Sequence, residues 1–562
     1  MKLKKYLIAF SAIAAISAMA LTGCSSGSTD GGGGGEGSGS TGSLTVAKPD
    51  GSGVLSTQIN NPFIGTGSGM SLAYARMIYE PIAIVNPVGK NETTPWLASK
   101  VEWNSDYTQL TVTPRKDVKW NDGKPFTADD IVFTYSLIKN TPALDLGGLK
   151  LSDIKKDGDN VVMTFSESKF VKQGDVLQVP IVPEHQWKSI ADPSKDPVKD
   201  AIGTGPYTIK SFSSQGVVLN SRTDYWGGEV PVATLKYLEY NDNTGLLRAL
   251  QSKEVDWAQI FITDFQKNFV DKDPDHNVFW GANVLSPDMI LVNTTKAPFN
   301  DVAFRKAVNM VVDRKAHAEK ARSNAGPELT SVTGIPQPTG DQYIAPEYKD
   351  KNFTVDVDGA KQVLTDAGYT WKSGALMDPS GKPVSFTLQD PQGWNDYVTG
   401  IQLVATQVKS TLGADAKVAT PDADTWFSNM ATGNFDAALH WSGSGSNPWH
   451  IYDDVMNGAY IEQAADGKVS DNFGRYNNPE ATALLKEYAA ASDDATRTDA
   501  LNKIQKIFVE DVPAIPIGTH PQLAEYNTRT FTGWPSESDQ YATADPTLAS
   551  AVQVLMNLKP VK

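Results

Sequence analysis

Residues 110–135, LTVTPRKDVKWNDGKPFTADDIVFTY, leave little freedom in what they can fold into. Residues 110–113 read as a strand, and Asn121-Asp122-Gly123 as a turn in which Gly123 supplies a positive φ. Thr127 stands where it can cap a helix opening Ala128-Asp129-Asp130, with two acids in the first turn where the helix dipole favours negative charge. Further on, residues 301–320 read as a helix with Phe304, Ala307, Val308, Val311 and Val312 on one face. Residues 394–412 read as another, with Val398, Ile401, Ala405 and Val408 at helical spacing. Residues 71–79 predict a shorter helix ending before Pro81. Helices alternating with short strands suit sheets covered by helices, and 562 residues suffice for two or three lobes of about 100–200 residues each.

Val118, Lys119, Trp120, Asp122, Gly123, Pro125, Phe126, Thr127, Ala128, Asp130, Ile131, Phe133 and Tyr135 together resemble the signature of the family 5 solute-binding proteins, the peptide, nickel and oligosaccharide receptors of ABC importers. Later segments resemble the same family in order: Gly203-Thr204-Gly205-Pro206-Tyr207, Asp224 to Gly228, Asn293 with Pro298 to Asp301 and Phe304 to Ala307, residues 358–369, and residues 510–517. The resemblance implies an α/β, two-lobe, periplasmic-binding-protein-like fold of type II, in the large cluster with an extra subdomain, with a hinge and an interlobe ligand cleft. Lobe one is expected at 44–292, with an inserted subdomain near 95–202 and a C-terminal return at 518–562. Lobe two is expected at 293–517.

The N-terminus carries an address. Lys2, Lys4 and Lys5 precede an apolar run over 6–20 and the sequence Leu21-Thr22-Gly23-Cys24, which has the form of a secretory signal. Its ending resembles the lipobox of bacterial lipoproteins, which implies a signal peptide at 1–23, lipidation of Cys24 and anchoring on the outer face of the cell membrane. The apolar run is short of the roughly 20 residues a membrane span requires. Residues 24–43, with five consecutive glycines at 31–35, read as a flexible tether. Cys24 is the sole cysteine, so the body is held by its own core without disulfides. A net charge of −15 without a concentrated basic patch argues against nucleic acid.

The candidate ligand-binding stretch is 435–454, FDAALHWSGSGSNPWHIYDD: a short strand over 435–440, then Trp441, five small residues, and Pro448-Trp449. Small residues let backbone approach a ligand closely, and the two indoles offer flat apolar faces with a polar N–H. In peptide-binding members of the family an aspartate of this loop anchors the ligand's amino group, and Ser444 stands at its place. A buried ammonium without a carboxylate partner is costly by several kcal/mol, although Asp453 or Asp454 could serve from downstream. Trp394, Trp426, Trp441 and Trp449 resemble the β-linked oligosaccharide-binding branch of the family, manno- or cello-type, with Asn395 and Asn447 beside them. Asn60, Asn61 and Phe63 in the first loop, and Trp280 and Asn283 near the hinge, complete the candidates. Removing Trp441 or Trp449 is expected to weaken sugar binding and to leave the melting temperature nearly unchanged.

Other chemistries are poorly served. The six histidines are scattered, and only His440 and His450 lie close in sequence, so neither metal nor cofactor is expected. Residues 65–69, GTGSG, lack the third glycine of a dinucleotide cradle. No nucleophile elbow or zinc-protease motif accompanies the acidic residues, so catalysis is not expected. The reading is a monomeric receptor that closes on an oligosaccharide, or alternatively an oligopeptide, and delivers it to the transmembrane subunits of an ABC permease.

Overall fold

The computed structural model describes residues 41–49, 53–89, 92–145, 147–443, 445–464 and 466–561. The expected signal peptide, Cys24 and nearly all of the tether lie outside the described residues, as does Ser444. The first strand, Thr41–Pro49, begins within the stretch read as tether.

Three sheets organise the described chain. Thr41–Pro49 lies at the centre of a seven-stranded sheet, parallel to Val232–Tyr240 and Trp257–Ala258, with antiparallel strands outside them. A four-stranded antiparallel sheet joins Ala98–Trp103, Gln109–Pro114, Asn160–Phe165 and Leu151–Asp157. Its apolar side chains, Leu110, Val112, Val161 and Met163, share one core with the seven-stranded sheet. The second lobe is built on a five-stranded sheet ordered Asp415–Ala419, Ser385–Gln389, Ala437–Trp441, Pro287–Val292 and Ala514–Thr519.

That order moves the lobe boundary. Pro287–Val292 is wholly buried and pairs with Ala437–Trp441 on one side and Ala514–Thr519 on the other, so it belongs to lobe two rather than closing lobe one at Val292. The chain crosses at 283–286 and returns between Ala514–Thr519 and Gln522–Asn527, a little beyond the expected residue 518. The crossings are bonded to each other, the His520 amide donating to the Ser286 carbonyl at 2.7 Å. Pro516 is tolerated because Ala514–Thr519 is an edge strand, with a register shift opposite at Asp288/Met289.

Local chemistry explains the helices. Thr127 and Asp130 form a reciprocal capping box on Ala128–Asn140, and Gly123 turns at φ 84°. The 394–412 reading becomes Asn395–Leu412, stopped by Gly413 at φ 77°. The single helix expected at 301–320 ends at Val311, because Val312 is extended and Asp313 caps a new turn. All five residues of its expected apolar face are nevertheless buried. Residues 71–79 do not form one helix: Ala73 sits at φ 67° between the short turns Ser68–Ser71 and Tyr74–Met77.

Candidate functional site

Two cavities flank the crossings, and each is walled by both lobes. The smaller, about 150 Å³, is lined by Asn243, Gln259 and Phe261 of lobe one, by His520 and Pro521 of the crossing, and by Arg322, Trp394, Asp396 and Trp441 of lobe two. The larger, about 410 Å³, lies between Arg76, Lys172, Asp175 and Gln178 on one side and Trp449, His450, Asp453, Asp454, Tyr460 and Asp471 on the other. Gln522 lines the larger cavity and its neighbours Pro521 and Leu523 the smaller.

The smaller cavity has an aromatic wall. Trp441 terminates its strand and is 37% exposed, one of few large apolar side chains left so open. Around it runs a closed circuit of rings: Trp441 to His440 at 3.8 Å, His440 to Trp426 at 5.4 Å, Trp426 to Trp394 at 5.4 Å, Trp394 to Tyr397 at 5.7 Å, Tyr397 to His520 at 6.4 Å, and His520 back to Trp441 at 5.3 Å. Tyr397 and Trp426 are its buried members, Trp426 fully enclosed with its indole N–H donating to the Gln389 carbonyl.

Beneath this wall is a buried charge cluster. Arg322 donates to both oxygens of Asp288 at 2.6 Å, to Asp396, and to His520 Nδ1 at 2.7 Å. Burial works to raise the Asp288 pKa, but Arg322, His317 and His520 outweigh it and hold the carboxyl well below its ordinary value. Asp390, buried without a cation of its own, is pushed the other way, first by burial and then by the nearby Asp396 and Asp288. His440 is driven down to about 4 by burial, so it stacks against Trp441 as a neutral ring.

The larger cavity is acidic. Burial pushes Asp453 up to about 6 and Asp454 up to about 7, and Asp471 is raised for the same reason. Asp454 accepts from the Gly443 amide at 2.8 Å, and Asp453 from the Tyr460 hydroxyl and the Asn457 amide, each at 2.7 Å. Among the described residues no group of three or more His, Cys, Asp or Glu side chains has the geometry to hold a metal ion.

The other residues singled out from sequence take different places. Trp449 borders the larger cavity but is 6% exposed, and its indole donates to the Leu485 carbonyl at 2.8 Å inside the core of lobe two. Its removal is therefore expected to lower stability, which corrects the expectation of an unchanged melting temperature. Asn447, two residues ahead of the helix Trp449–Met456, accepts from the Trp449 amide, while Asn395 is exposed at the start of its own helix. The Asn60 amide is taken up by the Val198 and Lys199 carbonyls and its oxygen by Tyr74; the Asn61 amide bonds Pro193 and Asp196. Both are buried and hold the first loop rather than face the cavities. Phe63 packs edge-on against Trp187 and borders a cavity of about 310 Å³ that adjoins the larger one, sharing Arg76, Gly174, Asp175 and Gln178 with it. Trp280 joins the lobe-one core, and Asn283, in the crossing, bonds the Gln337 carbonyl.

Sequence reasoning missed Asn243, Gln259, Arg322, Asp396 and His520 around Trp441, and Arg76, Lys172 and Asp175 opposite Trp449. Asp396 stands two positions after Trp394 and His520 directly follows the late strand, whereas no spacing links the others to Trp441 or Trp449.

Fold and site define a class: a two-lobe receptor with its cavities at the lobe junction. The model of bacterial extracellular solute-binding proteins, family 5 (middle), matches residues 92–463, and the chain belongs to this family. The probable peptide-binding protein YejA of Agrobacterium fabrum is 24% identical over 517 residues, 81% of each chain. A periplasmic oligopeptide-binding protein of a Thermotoga maritima oligopeptide ABC transporter, solved with bound mannohexaose, superposes with a TM-score of 0.78 at 25% identity, covering 92% of this chain and 98% of that one. The oligopeptide-binding protein AppA of Bacillus subtilis, solved with a nonapeptide, shares the fold with a TM-score of 0.73 at 21% identity, covering 93% and 100%. The chain is a solute-binding protein of an ABC importer, in a family of receptors rather than enzymes. Among the described residues no helix is long and apolar enough to cross a membrane.

Proposed function

We propose that this receptor captures oligosaccharides, β-linked and of manno- or cello-type, between its lobes and passes them to a membrane permease. The observation that carries the reading is Trp441, an indole left open at the lobe junction and surrounded by Asn243, Gln259, Asp396 and His520. Sugar rings present C–H faces that lie on such indoles and hydroxyl rims that need this mixture of donors and acceptors. The mannohexaose held by the Thermotoga protein supports the same reading. Lipidation at Cys24 would keep the receptor at the outer face of the membrane beside the permease. The test is calorimetric titration of the parent and Trp441→Ala with mannohexaose and cellohexaose. Saturable binding of one series that the variant loses is the expected result, and equal affinity in both proteins removes Trp441 from the site.

A second reading, an oligopeptide receptor, is favoured by the carboxylates of the larger cavity. Asp453, Asp454 and Asp471 outnumber the cations beside them, and a ligand ammonium would offset the burial that raises their pKa values. Binding of a mixed tri- to pentapeptide pool in place of sugars selects this reading.

A further inference from the structure

Away from the crossings, the lobes touch a second time. The loop after Asn160–Phe165 carries Lys169, Phe170, Val171 and Lys172, and it reaches across the larger cavity to lobe two. His450 Nε2 lies 2.8 Å from the Val171 carbonyl. The Arg497 guanidinium sits 3.5 Å above the Phe170 ring, and Tyr488 is 6.2 Å from it. Val171 is buried in the same apolar cluster as Leu285, Met289 and Trp449 of lobe two.

Each half is fixed from within its own lobe. On lobe one, Lys169 is fully buried, its amide donating to the Tyr107 carbonyl and its ammonium to Glu167 and the Gly148 carbonyl. Tyr107 backs Phe170 edge-on at 5.2 Å. On lobe two, Arg497 donates to Asp494 and to the Ala491 carbonyl of its own helix start, leaving its flat face for the ring. Gly445 admits His450: a Cβ there would stand 1.9 Å from His450 Cδ2. The bonds of Arg497 to Asp494 and Ala491, and of Lys169 to Glu167 and Gly148, lie within their own lobes and survive when the lobes part. Arg497 Nε, in contrast, is buried in the closed form without a hydrogen-bond partner among the described residues, a cost that the Phe170 contact must offset.

We infer that residues 169–172 with His450, Tyr488 and Arg497 form a clasp that holds the lobes closed by protein contacts alone and so sets how long a captured ligand stays. The closure itself stands on geometry; the effect on ligand residence rests on the receptor reading above. Because Val171, Lys172 and His450 wall the larger cavity, opening the clasp opens that cavity.

The test measures lobe separation in ligand-free protein by spin-label distances between Lys116→Cys and Lys315→Cys, whose side chains are 82% and 70% exposed, in a Cys24→Ser background. The parent is expected to show a short-distance population that Phe170→Ala and Arg497→Lys each deplete about tenfold in favour of a longer one, as loss of a partly desolvated cation–π contact implies. Unchanged distances in both variants overturn the clasp. Mannohexaose is the kinetic probe, expected to dissociate about tenfold faster from each variant than from the parent. A parent that binds no mannohexaose overturns the sugar reading, while the distances still decide the clasp.

Discussion

Trp441 and Trp449 carry the same side chain eight positions apart and do different work. Trp441 ends a strand at the lobe junction with an open ring; Trp449 starts a helix and drives its ring into lobe two. Replacing Trp441 by Ala is expected to weaken oligosaccharide binding by about thirtyfold or more, the loss associated with a central aromatic contact, with the ligand-free melting temperature held. Replacing Trp449 by Ala is expected to lower unfolding free energy by about 3–5 kcal/mol, read by urea titration. Asp454 adds a titration. With its folded value raised to about 7, it holds a proton that the unfolded chain has released, so its contribution to stability is present at low pH and lost as pH rises from about 4 to 7. His440, lowered to about 4, contributes the opposite slope below its ordinary value near 6.5. Comparison with Asp454→Asn isolates the carboxyl: between pH 5 and pH 8 the variant's melting temperature should rise relative to the parent's, and a constant difference would show that Asp454 does not titrate there.

At the scale of elements, what the sequence makes legible is what local chemistry decides. Thr127 and Asp130 announce their helix because a capping box needs only neighbours, and the face of Phe304, Ala307, Val308 and Val311 follows from spacing alone. Ala73 and Val312 break expected helices because packing imposes a backbone their side chains do not advertise. The Gly203-Thr204-Gly205 turn shows how tightly such packing can constrain. Cβ atoms on Gly203 and Gly205 would stand 1.9 Å from the Ile78 carbonyl oxygen and 2.3 Å from that of Met77, while Arg222 donates to the carbonyls of all three turn residues. Gly203→Ala is therefore expected to destabilise lobe one by more than about 3 kcal/mol in urea titration, because backbone rather than a movable side chain stands in the way. The site was less legible than the fold: Trp441 stood out by its glycine-rich surroundings, whereas His520 stacks on it, and Arg322 lies beside it, through a charge cluster assembled from four separate segments.

For the whole molecule, the lobes meet at the crossings, where Gln522 lines the larger cavity, and again where residues 169–172 reach lobe two, with Val171 and Lys172 on that cavity's wall. A ligand held at the lobe junction, against Trp441 in the smaller cavity or against the carboxylates of the larger, would touch both lobes and stabilise the folded, closed form through contacts an open form lacks. The most direct measurement is the melting temperature of the purified protein with mannohexaose and, separately, with a mixed tri- to pentapeptide pool. At a hundredfold excess over the dissociation constant a true ligand adds about 2.7 kcal/mol of stability. A rise with the sugar, abolished in Trp441→Ala, is the predicted result; a rise with peptides alone would contradict the oligosaccharide reading and assign the cleft to the carboxylates of Asp453 and Asp454.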